Sequence, residues 1–233
     1  MQLNNQSTTA AEFVSCRLKA GVDREEFLRH VRASQSSLKQ YPGYVSRELY
    51  HDAHQGTWFD LVRWADMKSA EQAAEKFMDD PRAAGLIGCL DPAGLAMHHY
   101  DWREELGAVS ARNPIDTASG CVEILQYRLL AGAGLPQYED VLREMSGTLR
   151  THAGFIRREV YYSAKTGQWL ETIFYRDRAS ADAMFGEIKD APCMKACMEM
   201  LDEPTLTMTF AVPVALGGEV VSGPAWSGLA QGS

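Results

Sequence analysis

The chain has 233 residues, 45% of them hydrophobic, and 23 Lys+Arg against 31 Asp+Glu give a formal net charge of −8 and a pI near 5.3. That much apolar material can bury the core of one large domain or two small ones, which excludes a largely disordered chain. The acidic balance argues against nucleic acid or an anionic membrane as main partner, since both are held through basic patches, and leaves a small molecule as the expected ligand.

The N-terminus, MQLNNQSTTA, is polar and has no apolar signal-type region, and no window approaches 18 consecutive apolar residues, so a cytoplasmic protein is expected. The five cysteines, Cys16, Cys89, Cys121, Cys193 and Cys197, form an odd set that fits reduced thiols.

In chain order, FVSCRL (13–18) alternates and predicts a strand, broken by Gly21. From Asp23 to about Lys39, apolar Phe27, Val31 and Leu38 recur at helical spacing, and Pro42-Gly43 stops that helix. GYVSRELY (43–50) predicts a strand, DAHQG a turn and TWFDLVRW (57–64) the second arm of a hairpin. Asp66 and Ser69 are cap-type residues before a second helix, SAEQAAEKFM, and after Pro92 the stretch LAMHHYDW predicts a last strand.

The octet GYVSRELY returns as GFIRREVY from Gly154 to Tyr161, an offset of 111. At that offset Phe13 through Asp91 align with Ile124 through Asp202 without a gap, and 20 of the 79 pairs are identical, where roughly five are expected by chance from ordinary composition. The repeated landmarks include Gly43/Gly154, Arg47-Glu48/Arg158-Glu159, Tyr50/Tyr161, Trp58/Trp169 and Asp66/Asp177. The predicted order in each copy is β-α-β-β-α-β, the ferredoxin-like unit. A sheet with helices on one face needs its other face covered, and a second copy can cover it. The fold class expected is therefore α+β: tandem ferredoxin-like repeats, 11–103 and 120–214, packed sheet to sheet as an α/β barrel. A linker (104–119) and a loose C-terminal tail (215–233) complete the chain. With each sheet covered by the other, a monomer is feasible, and a homodimer through outer strand edges is equally open.

Alternation on the third strand places Trp58, Asp60, Val62 and Trp64 on one side, and Trp169, Glu171, Ile173 and Tyr175 on the same side of the second copy. An acid between two aromatics, twice, is the leading candidate site. A carboxylate on a partly dry face can act as a base, and aromatic walls suit a flat apolar ligand. The structural alternative pairs Asp60 and Glu171 with Arg17 and Arg128 on the neighbouring first strands. Among the histidines, His98 and His99 point to opposite faces of the last strand, so His98 is a further candidate base. No metal site is expected, because Cys193/Cys197 and His51/His54 each lack further ligands.

Pro42-Gly43-Tyr44, a strand ending in Trp64, and Asp66, Ser69 and Ala70 opening a helix resemble the antibiotic biosynthesis monooxygenase family of the dimeric α/β barrel superfamily, in both halves of the chain. The resemblance implies a cofactor-independent monooxygenase of a small aromatic or polyketide-like molecule. In that chemistry Asp60, Glu171 or His98 is the base, and Arg17, Arg128, Trp58, Trp64, Trp169 and Tyr175 line the ligand. A non-catalytic small-molecule-binding or stress-response barrel is the alternative. The superfamily also holds haem-binding members. Trp64 stands where the haem-degrading branch has a haem-contacting tryptophan, but the helices 71–80 and 182–190 contain no histidine. The second half has only His152, just before Gly154. The resemblance thus implies no cofactor, with haem disfavoured.

Overall fold

The computed structural model describes residues 9–109 and 119–216. Strand β1 (Ala10–Cys16) leads to helix α1 (Arg24–Leu38), the hairpin β2 (Tyr44–Asp52) and β3 (Thr57–Trp64), helices α2 (Met67–Met78) and α3 (Ala84–Cys89), and β4 (Ala96–Trp102). A two-residue strand β5 (Ala108–Val109) precedes β6 (Cys121–Arg128), α4 (Leu135–Leu149), β7 (Phe155–Ser163), β8 (Gln168–Tyr175), α5 (Arg178–Ile188), α6 (Pro192–Met200) and β9 (Thr207–Val214). The short helix α3 lies where the sequence predicts no separate element, whereas α6 spans Cys193 and Cys197, whose one-turn spacing predicts a cysteine- and methionine-lined core helix. Within the expected linker, β5 and a 3-10 turn at Glu104–Leu106 are ordered elements. Residues 110–118 of that linker, and the tail from 217 onward, lie outside the described residues.

Every strand pairing is antiparallel, and the order β4-β1-β3-β2-β9-β6-β8-β7 closes on itself where Asp101 and Trp102 of β4 meet Tyr162 and Tyr161 of β7. The result is an α+β fold around a closed eight-stranded barrel, with β5 added to β7 at Arg157 and Arg158. The expected barrel is present, and residues of both sheets meet inside it, but edge pairing, which the sequence does not predict, is what closes it. The sheets join edge to edge, β2 to β9 and β4 to β7, because each has two open edges whose unpaired amides and carbonyls satisfy one another.

Local sequence accounts for the turns. Asp23, Asp66 and Asp177 cap α1, α2 and α5 by accepting from the backbone N–H three residues on. Gly43, at φ +79, enters β2 against α2: a Cβ there would stand 2.5 Å from Ser69 Oγ, so glycine is required both for conformation and for space. A bulge between Tyr44 and Ser46, matched between Phe155 and Arg157, switches faces at the start of β2 and β7. Tyr44 and Phe155 consequently pack among helix-side residues, while Ser46 bonds to Arg63.

Two kinds of interior follow. Under the helices, Phe27 and Val31 of α1 pack on Cys16, Leu49 and Trp58, while Tyr138 and Leu142 of α4 pack on Tyr127 and Trp169. Inside the barrel, Phe13, Phe59, Leu61, Tyr100, Leu170 and Phe174 surround an ionic group. Arg63 donates to Glu48 (2.6 Å) and Glu159 (2.5 Å), and Arg157 donates to the same two carboxylates (2.8 and 3.2 Å). Tyr50 and Tyr161 each add a 2.8 Å bond, to Glu48 and Glu159. Burial alone would raise both carboxyls, but the two guanidinium groups outweigh it and hold both below the ordinary range. Two positive and two negative charges thus cross-link the two parts of the chain through the barrel.

Candidate functional site

The strands place Trp58, Asp60, Trp64, Trp169, Glu171 and Tyr175 on the helix-facing side, outside the barrel. Trp58, Trp64, Trp169 and Tyr175 are all buried there. Trp58 lies against Phe27 (4.7 Å between centroids) and stacks on His51 (4.1 Å), and Trp64 meets Tyr44 edge-on. Trp169 packs between Tyr138 and Tyr162. The indole N–H groups of Trp64 and Trp169 are buried without an acceptor among the described residues, so each keeps a free donor.

Asp60 and Glu171 are paired, but not with the arginines expected. Arg47 donates to both oxygens of Asp60 (2.9 and 2.5 Å) and to Val31 O and Ser34 Oγ of α1. Arg158 likewise donates to Glu171 (2.7 Å), Leu142 O and Ser146 Oγ of α4. Arg17 and Arg128 are exposed where β1 and β6 end, and among the described residues neither forms an ion pair with these acids. The register explains the difference. Asp60 lies opposite Leu49 and Val62 opposite Arg47, so Arg47 is the diagonal same-face neighbour of Asp60, whereas Arg17 lies beyond the end of β1. His98 lies on the barrel side of β4, opposite Phe13 and 6.2 Å from Tyr100, and burial together with Arg128 pushes its pKa down.

The two helix-side compartments share a scaffold and differ in chemistry. In the second, Tyr138 Oη contacts Cys197 Sγ (3.5 Å) and donates to Tyr127 Oη (2.8 Å), and Tyr127 in turn donates to Glu171. The residues 111 positions earlier are Leu86, Phe27, Cys16 and Asp60, so the first compartment has no phenol relay. Burial raises the Tyr127 and Tyr138 phenols well above their usual value, and the Cys197 thiol to about 11, so all three stay protonated.

Glu123, on β6, is the residue that the sequence reading missed. Its counterpart Glu12 has His99 at 3.1 Å, whereas the residue matching His99 is Phe210. Glu123 is left with a 3.2 Å bond from Tyr175 Oη and no cation in contact among the described residues. Burial, opposed by the Tyr175 bond and aided by the Glu171 charge, raises it to about 7. Arg178 of α5 covers this end of the compartment, its guanidinium 3.6 Å from the Phe210 ring centroid. A signal was present in the sequence: an acid repeated at 12 and 123 whose histidine partner is not repeated.

A carboxyl that titrates near neutrality is suited to accept a proton from a weak carbon or phenol acid. The compartment offers no axial imidazole for haem. His152, the one histidine of the second half, lies in the turn after α4, where its Nδ1 accepts from Gly154 N at 3.2 Å. The groups facing Trp169 from the helices are phenol, thiol and apolar side chains.

No protein-family model matches the chain, and no curated protein matches it. Among solved structures it is similar to a candidate monooxygenase from Fusobacterium nucleatum subsp. nucleatum (TM-score 0.64, 9% identity, 93% of this chain and 96% of that one covered). It is also similar to an anthrone oxidase-like protein (0.64, 9%, 91% and 94%). A third is a mutant chlorite dismutase from Candidatus Nitrospira defluvii in complex with cyanide (0.63, 10%, 89% and 91%). These likenesses establish the fold alone, the closed antiparallel α+β barrel described above.

Proposed function

We propose that the chain is two ferredoxin-like repeats in tandem and acts as a cofactor-independent monooxygenase on a small aromatic or polyketide-like molecule, with its working pocket in the second half. The observation that carries this reading is Glu123, raised to about 7 by burial and held by Tyr175 with no arginine partner among the described residues, whereas Asp60 and Glu171 are tied to Arg47 and Arg158. The carboxylate oxygens of Asp60 and Glu171 are taken up by bonds from Arg47, Arg158 and Tyr127, so the proton-accepting role passes to Glu123.

In this reading an activated carbon–hydrogen bond breaks heterolytically and its proton passes to a Glu123 carboxylate oxygen. The electron pair left on carbon adds to dioxygen, and the resulting peroxide anion takes a proton back from Glu123 to give a hydroperoxide. Loss of water then leaves a carbonyl, so one oxygen atom enters the product and the other leaves as water. The free indole N–H of Trp169 is the donor for a substrate oxygen. Trp169 lies four residues from Ile173, the partner of Glu123 on β8, roughly 13 Å along the strand, which suits an extended fused-ring molecule. The Arg178–Phe210 contact between α5 and β9 is the cover that substrate displaces on entry.

The anthrone oxidase-like neighbour suggests the probe. Chelator-treated protein, incubated with an anthrone under labelled dioxygen, should yield a carbonyl product carrying one labelled atom, at a rate reduced at least tenfold in Glu123→Gln. Label-free product, or equal rates, would rule this mechanism out.

A further inference from the structure

Away from the Glu123 compartment, and independent of the oxygenase reading, a second group of ligand-type side chains lies between α1 and α3. Glu26 and His30 stand one turn apart on α1, and Cys89 ends α3, which packs against α1. A Glu26 carboxylate oxygen, a His30 ring nitrogen and Cys89 Sγ all lie within 4.8 Å of one another. Among the described residues none of these three side chains makes a hydrogen bond or ion pair, so their donor atoms are unspent. Carboxylate oxygen, imidazole nitrogen and thiolate sulfur are the ligand types of a borderline-soft divalent cation, which holds them at about 2.0 to 2.3 Å with a fourth position for water.

The backbone is built to hold this arrangement. Lys19 N donates to Cys89 O (2.9 Å) and Lys19 Nζ to Gly88 O (2.8 Å), fixing the end of α3. The His30 ring fits only because residue 85 is glycine, where a Cβ would stand 2.2 Å from Nδ1. The positions 111 residues on supply a control within the same molecule. The pinning bond is repeated there, from Leu130 N to Met200 O (2.9 Å), but Glu26, His30, Gly85 and Cys89 are replaced by Gln137, Val141, Ala196 and Met200. All three ligands and the glycine that admits the imidazole differ together on a retained scaffold.

We propose that Glu26, His30 and Cys89 bind one zinc-type divalent cation that clips α1 to α3 in the first half. Binding deprotonates the Cys89 thiol, its proton leaving to solvent, and no redox step is involved.

The test is titration of the reduced, chelator-stripped full chain with Co2+, then displacement by Zn2+. The expected result is one cobalt per chain with a thiolate-to-metal charge-transfer band. The band should be lost in Cys89→Ser. Affinity should fall at least about tenfold in His30→Ala, in Glu26→Gln and in Gly85→Ala, since even outer-shell partners of metal sites contribute that much. Thermal midpoints of the metal-free variants identify any that fail to fold, and Glu26→Gln changes a partly exposed side chain that the metal-free fold does not use. No band in the wild type, a band retained in Cys89→Ser, or unchanged affinity in Glu26→Gln would each overturn the proposal.

Discussion

Arg63 is the residue on which the barrel interior most depends, and replacing it with methionine provides a quantitative test. Its side chain is 8% exposed and serves Glu48 and Glu159 at once, with Tyr161 Oη accepting a further 3.2 Å bond from Nε. Arg63→Met keeps an unbranched apolar stem but removes the guanidinium and leaves two carboxylates sharing Arg157. Removing one partner of a buried ion pair costs about 3 to 5 kcal/mol. Glu48 retains 34% exposure and Arg157 remains, so the low end, about 3 kcal/mol, applies. For a chain of this size that corresponds to a loss of roughly 6 to 12 °C in thermal midpoint. The pH dependence has a definite sign. In the native chain both carboxyls lie below the usual range, so their contribution is present above about pH 4.5 and is lost as the pH falls. Without Arg63 burial prevails over the remaining cation, the folded-state values rise, and protonation relieves the cost. The deficit against wild type should therefore be largest at pH 7 and shrink towards pH 5, and Arg63→Met/Glu159→Gln should recover part of it. Calorimetric melting at the two pH values measures this. A shift below about 2 °C at pH 7, or a deficit that grows on acidification, would refute the argument.

Further outcomes follow from the same contacts. Glu123→Gln should be more stable than wild type at pH 8 by up to about 3 kcal/mol and equal to it near pH 4, because a carboxyl raised from 4.5 to about 7 costs stability once the unfolded chain ionises. Chemical denaturation at both pH values checks this. Asp60→Asn should cost about 3 kcal/mol by stranding the Arg47 guanidinium, with recovery in Asp60→Asn/Arg47→Met. If Glu171→Gln lowered turnover without lowering the melting temperature, its assignment as an anchor for Arg158 would fail. Gly43→Ala should cost at least about 1 kcal/mol through its positive φ, and more as Ser69 is displaced, visible as a lower denaturation midpoint.

Much of the fold was legible because its signals are local. Alternation gave the strands, aspartate caps the helix starts, and the 111-residue offset the correspondence of landmarks. What escaped depends on pairing across the chain. The repeated Arg-Glu dipeptide marks the repeat without showing its partners, because adjacent residues of a strand face opposite ways. Arg47 and Arg158 go to the helix side to hold Asp60 and Glu171, while Glu48 and Glu159 go into the barrel to meet Arg63 and Arg157. Those last two arginines are not copies of one another: the residue matching Arg63 is Phe174, and the one matching Arg157 is Ser46. Edge-to-edge closure was hidden for the same reason, since open edges carry no side-chain signature. The aromatic–acid–aromatic stripe does share one face, but its acids are held by arginines, and the carboxyl that burial pushes up is the neighbouring Glu123, opposite Phe210 some 87 residues later.

Dioxygen uptake with an anthrone, followed from pH 5 to 9 in wild type and Glu123→Gln, is the most direct test of the proposed chemistry. Uptake should rise through a single ionisation near pH 7 in the wild type, and that rise should be absent from the variant. No uptake by the wild type, or an identical pH profile in both proteins, would contradict the assignment of Glu123 as the base.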